Sequence, residues 1–207
     1  GDVYKRQNFR PNEQWKIELD LFTNKEFDTD QFITSIDDTL AINTFHKRYI
    51  FADITNDSKG FSFEANRIVS PQLSFQFFLK PEISQYEYQD LKEFLEPKKY
   101  KFNYFSEDQI VQVDDETIEI DPDRDGMAPS FQLSSDYIKG FNFLSLRSNF
   151  IIKWEYRPGS AMFLVWQQQR DHYAVTNSNF DLRRGFDQLG KSGAINTILL
   201  KVAYWFS

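Results

Sequence analysis

The chain has 207 residues, a net charge of −7, 17% aromatic residues with 22 phenylalanines, and no cysteine. This length allows one domain with a sizeable core, and the lack of cysteine excludes a disulfide framework and thiolate-ligated metals. Seven acids and one arginine lie in residues 114–125, so the remainder is close to neutral and offers no basic face. We therefore expect no nucleic-acid partner.

The first seven residues, GDVYKRQ, are the in-frame translation of the transposon mosaic-end adapter that is used to fragment DNA for sequencing. We therefore predict that residues 1–7 are a sequencing-adapter scar and that Asn8 is the first residue of the encoded protein. On this hypothesis the reading frame is an assembled metagenomic fragment. Residues 8–207 then form a domain that is incomplete at its N-terminus.

Alternation of apolar and polar residues with period two predicts long antiparallel strands. In chain order the predicted strands cover residues 15–21, 46–69, 73–87, 143–156, 161–171 and 195–206. Two further segments have apolar residues at helical spacing, and we predict a short helical turn in each. These residues are Phe32, Ile33 and Ile36 in the first segment and Leu91, Phe94 and Leu95 in the second.

Large apolar side chains fall on one face of these strands, and charged side chains fall on the other. A soluble antiparallel sheet shows the same alternation, so this pattern alone fits either a sandwich or a membrane sheet. The predicted apolar face comprises Trp15, Ile17, Leu19, Leu73, Phe75, Phe77, Phe150, Ile152, Trp154, Ile198, Leu200, Tyr204 and Phe206. The predicted polar face comprises Lys16, Glu18, Asp20, Gln76, Lys80, Lys153, Glu155 and Lys201.

The lengths of the connections favour the membrane. Short connections that contain proline, at 10–12, 70–72 and 157–160, alternate with long ones at roughly 22–46, 88–142 and 172–194. Compact soluble domains rarely carry such long loops, whereas outer-membrane barrels combine short periplasmic turns with long extracellular loops. We therefore predict that the apolar face contacts lipid and that the polar face lines a lumen.

The predicted fold is all-β: an antiparallel up-and-down meander that forms the C-terminal arc of a truncated transmembrane β-barrel. Truncation is inferred because bacterial barrels begin at about eight strands and only six are predicted. With the proline turns in the periplasm, the last strand runs inward and ends at the aromatic residues Tyr204 and Phe206, which is typical of the strand that barrel-assembly machinery recognises. The expected location is the bacterial outer membrane, with its lipid and this machinery as partners.

The segments WEYRPGSAMFLVW (154–166) and RYIFADI (48–54), with RPNEQW (10–15) and LSFQFFLKP (73–81), resemble the family called domain of unknown function 5916. The resemblance covers 8–207. It implies an export signal and a family-9-like carbohydrate-binding domain upstream of an outer-membrane barrel. A glycan is therefore an expected partner only through that upstream domain, and the resemblance supplies no catalytic residues.

One candidate metal site is the segment DPDRDG at 121–126, which has the alternating acids and the glycine of a calcium loop. The proposed Ca²⁺ ligands are Asp121, Asp123 and Asp125. The bidentate glutamate expected at the twelfth position is Gln132 here, so the ligand set is partial. A solvated acidic loop is the alternative.

Two other functions are kept open beside the anchor or pore. The first is a membrane-embedded hydrolase of glycan or lipid, for which Ser148 or Ser160 with His172 and Asp171 are the available groups. Glycosidase-type carboxylates among Glu18, Asp20 and Glu155 are also weighed. The second is a soluble β-barrel that binds a small apolar ligand. No motif surrounds the nominated groups, so no catalytic residue is assigned.

Overall fold

The fold is all-β, and a single antiparallel sheet of long strands carries most of the secondary structure. The computed structural model describes residues 1–122, 124, 131–175 and 181–206, with only the backbone of Leu182. The strands are β1 (Asp2–Phe9), β2 (Trp15–Asp37), β3 (Lys47–Ser70), β4 (Leu73–Phe94), β5 (Phe102–Tyr104), β6 (Ile110–Gln112), β7 (Thr117–Ile120), β8 (Phe131–Ser134), β9 (Phe141–Arg157), β10 (Ser160–Val175) and β11 (Ala194–Ala203). The described helices are α1 (Asp136–Lys139) and α2 (Leu182–Lys191), with 3₁₀ turns at Ile42–Thr44 and Glu107–Gln109.

The main sheet has the order β1-β2-β3-β4-β9-β10-β11, with β5 paired to the end of β4. Each strand is antiparallel to its neighbours. This confirms the predicted all-β, antiparallel, up-and-down architecture. The three proline-containing connections are short, as predicted. Each of them joins two strands that are paired directly.

The strands are much longer than the alternation predicts. β2, β3 and β4 have 23, 24 and 22 residues, which corresponds to roughly 75 Å at about 3.3 Å per residue. The predicted strand ends at Leu21 and residue 87 are therefore too early, and the connections shorten to 38–46 and 95–140. The last strand is shorter than predicted, since β11 ends at Ala203.

Both predicted helical turns are wrong. Phe32, Ile33 and Ile36 lie in β2, and Leu91 and Phe94 lie in β4. The reason is a set of β-bulges. The register shifts after Asp28 and again after Phe32 in β2, and after Gln89 in β4, and we call the parts of the strands at this end of the sheet their distal parts. An extra residue on one strand turns a spacing of two into a spacing of three, which imitates the period of a helix.

The bulge in β4 lies at Asp90, whose φ of 50° is left-handed. Asp53 pairs with Gln89 but Phe51 pairs with Lys92, so β4 contains one residue more than β3 over this stretch. Beyond the bulge the alternation is inverted: Leu91 joins the face to which Tyr88 belongs. One residue thereby resets which side chains of the distal part of β4 are buried.

Residues 95–140 fold back over the distal parts of β3 and β4 and complete the main hydrophobic core. The short strands β6, β7 and β8 form a separate three-stranded sheet in this region. The buried core comprises Ile50, Ala52, Leu91, Phe105, Ile118, Ile120, Phe131 and Leu133. Period-two alternation cannot be recognised in strands of three or four residues, which explains why this sheet was not predicted.

β1 contains most of the predicted adapter scar and pairs with β2 from Asp2↔Asn24 to Phe9↔Ile17. All eight of its residues are exposed. Its register places Lys5 beside Leu21 and Gln7 beside Leu19, so two polar side chains interrupt an otherwise apolar face. The scar stays a prediction. Within the described residues, β1 and β11 each have one strand neighbour in the main sheet.

Candidate functional site

The strand register places the predicted apolar residues of the strands on one face of the sheet. Side chains of directly paired residues in an antiparallel sheet point to the same side. One such row crosses six strands and contains Ile17, Ala65, Phe77, Phe150, Trp166 and Ile198. We call this side the apolar face. Tyr204 and Phe206 follow the end of β11 and lie outside the paired part of the sheet.

The band of apolar side chains reaches different heights on different strands. On β2 it continues from Ile17 to Leu21, four residues further along the strand. On β4 and β9 it continues six residues beyond the row of Ile17, to Ile83 and Leu144. On β10 it ends in the row of Ile17, at Trp166, and Gln168 follows.

Helix α2 covers the end of this band on β3, β4 and β9. Leu189 is buried against Ile83 and Leu144. Gly185 lies so close to the sheet that a Cβ there would be 2.6 Å from Cδ1 of Ile83. The ring of Phe186 is 6.5 Å from that of Phe61. The helix thus packs on β3, β4 and β9 through one apolar side.

Both ends of α2 are fixed by hydrogen bonds. The carboxylate of Asp181 accepts from the backbone N–H groups of Arg183 and Arg184, at 3.0 and 3.2 Å, as an N-cap. At the other end Arg170 of β10 donates to the carbonyl oxygens of Gly190 and Ser192, at 2.7 and 2.9 Å. This guanidinium satisfies carbonyl groups that the helix itself leaves unpaired.

The eight predicted polar residues share the opposite face, which we call the polar face. Lys80 is paired directly opposite Arg147 in the register, which would place two cations side by side. Each cation has a carboxylate partner: Glu82 lies 3.1 Å from Lys80, and Asp171 lies 2.7 Å from Arg147. These two adjacent cations of the polar face are therefore each compensated by a carboxylate.

Phenylalanines interrupt the polar face, and lysines lie over two of them, Phe22 and Phe163. Lys153 and Lys201 flank Phe163 from the two neighbouring strands, with Nζ atoms 6.0 and 5.9 Å from the ring centroid. Such cation–π contacts hold the ammonium groups along the sheet surface. A third phenylalanine, Phe78, lines a depression of about 320 Å³ on this face.

At the distal end of the sheet, Arg48 joins two buried carboxylates. Its Nε donates to Asp38 at 2.5 Å and its Nη1 donates to Glu93 at 2.6 Å. All three side chains are at most 14% exposed. The N–H of Leu40 also donates to Asp38, at 2.8 Å, and the amide of Asn103 donates to Glu93 at 3.2 Å. These groups join the start of β3 to β4 and to the turn after β2.

Lys92 precedes Glu93 in β4, and its side chain therefore lies on the other face of the sheet, where it forms a second buried cluster. Its Nζ lies 2.6 Å from Asp53 and 3.4 Å from Asp30, and it also donates to the carbonyl of Thr29. The rings of Phe102 and Tyr104 lie 4.9 and 5.3 Å from the ammonium. Sequence reasoning missed both clusters. The sequence signal for both clusters was the charged pair Lys92 and Glu93 between apolar residues of β4.

The calcium prediction falls largely outside the described residues, because these do not include Asp123 and Asp125. The carboxylate of Asp121 accepts the backbone N–H of Arg124 at 3.0 Å. In the part of the chain that the structure describes, no three histidine or carboxylate side chains converge as metal ligands. Calcium binding at 121–126 stays a prediction.

The nominated catalytic groups are not brought together. Ser148 and His172 lie on the apolar face, while Asp171 lies on the polar face in its ion pair with Arg147. Ser160 is at the start of β10, where its Oγ accepts the N–H of Trp205.

The carboxylates Glu18 and Asp20 also lie apart from the third candidate, Glu155. They are on β2 and Glu155 is on β9, three strand spacings or about 14 Å away along the sheet. Glu18 is paired with Lys16 at 2.9 Å, and Asp20 with Arg6 at 2.9 Å. No carboxylate pair of glycosidase spacing is therefore formed between these two strands along the sheet.

Comparisons with protein-family models, with curated proteins and with solved structures return no match. The resemblance to domain of unknown function 5916 therefore stays a prediction. Among the described residues, no helix combines the length and the apolarity needed to cross a membrane.

Proposed function

We propose that this chain is part of an outer-membrane β-barrel of a bacterial cell, and that it serves as a lipid-embedded anchor or pore. The exposed apolar band across β2, β3, β4, β9, β10 and β11, which lies opposite a polar face of the same strands, carries this proposal. Outer-membrane barrels present an apolar band outward to lipid and a polar surface inward.

The height of the band supports the same conclusion. On β4 the apolar face extends from Leu73 to Ile83, which is about 33 Å along the strand at ~3.3 Å per residue. A tilt of 35–45° converts this length into a height of roughly 25 Å, which is the height of the apolar band on outer-membrane barrels. The long distal parts of β2, β3 and β4 then extend beyond the lipid.

Exposure of the apolar face favours lipid over water as its surroundings. Trp154 is 48% exposed, Leu200 59% and Ile198 72%. Soluble monomers rarely expose contiguous apolar patches larger than a few hundred Å². Hydrocarbon chains would provide the contacts that a second sheet provides in a sandwich. The soluble, small-ligand alternative buries this face and has no comparable support.

The partners of the proposed barrel follow from this assignment. Outer-membrane lipid contacts the apolar face, and barrel-assembly machinery inserts the chain. A glycan is bound only through the upstream domain that the family resemblance implies. We include Ca²⁺ at 121–126 as part of the proposal, to be tested by calorimetric titration of the whole protein.

Cysteine scanning tests the proposed orientation, because the chain has no native cysteine. Neighbouring residues provide matched pairs: Phe77→Cys with Gln76→Cys, Phe150→Cys with Asn149→Cys, and Leu200→Cys with Lys201→Cys. Each variant is reconstituted in vesicles and labelled with a fluorophore. Lipid brominated on its acyl chains should quench the label at the first position of each pair. A water-soluble quencher should act at the second.

Equal quenching within each pair by both quenchers would contradict the orientation. Quenching by brominated lipid at Gln76, Asn149 and Lys201 alone would reverse it.

A further inference from the structure

We propose that α2 binds the anionic headgroup layer of the membrane from the outer side of the sheet. The partner is a lipid surface rich in phosphate groups, and the contact is made by the exposed cations of the helix. The inference rests on the proposed function, since the apolar face must contact lipid for α2 to lie at its boundary.

The position of the helix is the first observation. α2 packs on the apolar face at Phe61, Ile83 and Leu144, beyond the row that contains Phe77 and Phe150. The row of Ile83 and Leu144 lies six residues beyond the row of Phe77 and Phe150 on β4, which is about 20 Å along the strand. After the tilt is allowed for, this places the helix at the level where hydrocarbon gives way to headgroups. It begins where the uncovered apolar band ends.

The charges of α2 are the second observation. Arg183 and Arg184 are exposed, and neither forms an ion pair with any described residue. Lys191 is paired with Asp187 at 2.6 Å, but both side chains are largely exposed, so water screens this pair. The helix therefore presents three cations and one acid on the sides that do not face the sheet, and its N-cap Asp181 adds a second exposed acid.

The fixed orientation of α2 is the third observation. Gly185 and Leu189 are buried against the sheet, and Arg170 holds the carbonyl groups at the C-terminal end. The helix therefore cannot rotate its arginines away from the boundary without losing these contacts. Arg184 is separated from Leu189 by five residues, which places it near the opposite side of a helix with 3.6 residues per turn.

Electrostatics at an anionic surface gives the expected size of the effect. Each arginine close to such a surface favours association about fivefold, and the effect decays over roughly 10 Å at ordinary ionic strength. Two arginines without an ion pair among the described residues therefore predict a preference of about 25-fold for anionic over zwitterionic lipid beside α2. High salt should reduce this preference because it screens the attraction.

Gly190→Cys provides a probe on the helix, because a Cβ at this position would meet no atom within 4 Å. The labelled protein is reconstituted with acyl-brominated phosphatidylglycerol or phosphatidylcholine, and the relative binding constant of the two lipids is measured from quenching. We expect about 25-fold preference for phosphatidylglycerol. Arg183→Gln with Arg184→Gln should reduce it to twofold or less.

A matched control removes the same charge elsewhere. Lys98→Gln with Lys101→Gln lies in the exposed connection between β4 and β5, far from the apolar band, and should leave the preference unchanged. Inorganic phosphate should lower the preference no more than sodium chloride of equal ionic strength. A larger effect of phosphate would identify a free-anion site and overturn the lipid assignment.

The two proposals fail in different ways. If the label at Phe77→Cys is quenched by both brominated lipids but the label at Gly190→Cys shows no preference for phosphatidylglycerol, only this inference is overturned. The same holds if the double arginine variant keeps the preference. If brominated lipid quenches neither label, the proposed function is overturned, and this inference with it.

Discussion

Lys92 of β4 and Asp53 of β3 form an ion pair whose Nζ and Oδ1 atoms are 2.6 Å apart, and the lysine side chain is only 2% exposed. Glu93, the next residue, pairs with Arg48 on the opposite face. The consecutive residues Lys92 and Glu93 of β4 thus pair with Asp53 and Arg48 of the segment RYIFADI (48–54). The distal part of the sheet is held by charges on both faces.

Removal of one partner of the Lys92–Asp53 pair should destabilise the fold strongly. Lys92→Met leaves a mostly buried carboxylate without its cation, so we expect a loss of about 3 kcal/mol in the free energy of unfolding. The double variant Lys92→Met/Asp53→Asn should lose less than the sum of the single losses. Denaturant unfolding followed by tryptophan fluorescence measures this cycle. Lys47→Met, which breaks the exposed pair with Asp37, should cost under about 1 kcal/mol.

A side chain at Gly60 should displace Phe22. The two residues are paired directly, and the ring of Phe22 lies over the glycine, with Nζ of Lys80 5.0 Å from the ring centroid. A Cβ at Gly60 would be 2.6 Å from Cζ of Phe22 and 2.5 Å from the carbonyl oxygen of Pro81. Gly60→Ala should therefore lower the free energy of unfolding by roughly 1–3 kcal/mol. Gly193→Ala, at a position with open space, should change it little; equal effects would contradict the contact.

Asp38 should make the fold sensitive to acid. Burial raises the pKa of this carboxyl, but the N–H of Leu40 and the guanidinium of Arg48 more than offset burial and hold the pKa below its ordinary value. Because the folded pKa is below the unfolded one, the contribution of Asp38 to stability is present above about pH 4 and is lost as the pH falls through the folded pKa. Stability should therefore decline on acidification below about pH 4.

The variant Asp38→Asn isolates this contribution. It should be less stable than the parent by about 1–3 kcal/mol at pH 7, and the difference should shrink as the pH is lowered from 5 towards 2. Urea unfolding at a series of pH values measures the difference. The matched variant Asp37→Asn changes an exposed neighbour and should follow the parent curve. A difference for Asp38→Asn that does not depend on pH would show that its carboxylate does not contribute in this way.

If the polar face lines a water-filled path, Asp171 should set part of its ion selectivity. Asp171→Asn leaves the charge of Arg147 uncompensated beside Lys80. The reversal potential in planar bilayers under a salt gradient should then shift towards anion selectivity. Asp37→Asn, at the distal end of β2, should cause no shift. Absence of any conductance in the parent protein would leave the anchor as the role of this face and remove the pore.

The faces of the sheet could be predicted from the sequence, because apolar and polar residues alternate along a strand wherever its two faces have different surroundings. Phe75, Gln76 and Phe77 alternate in the sequence and also in the register. The distal parts of β2 and β4 could not be predicted, because there the alternation is interrupted by bulges. Spacing in those segments therefore imitates a helix.

The ion pairs and α2 were missed for different reasons. Lys92 and Asp53 are 39 residues apart, and only the register of β3 on β4 brings them together. The signals for α2, in contrast, were present: Asp181 is an N-cap, and Phe186 and Leu189 follow at helical spacing. Two glycines inside the helix lower its intrinsic propensity, so packing on the sheet decides its formation.

The outer edge of β11, which has no strand partner among the described residues, has a practical consequence for the purification of this polypeptide. Its ten residues are all exposed, and the segment is rich in isoleucine, leucine and valine, with one charged side chain, Lys201. An edge strand of this kind, which among the described residues pairs only with β10, is a template for the backbone of another molecule. Purified chains should therefore stack edge to edge into β-rich aggregates, and a detergent micelle alone, which shields side chains but does not hydrogen-bond to amides, should not prevent this.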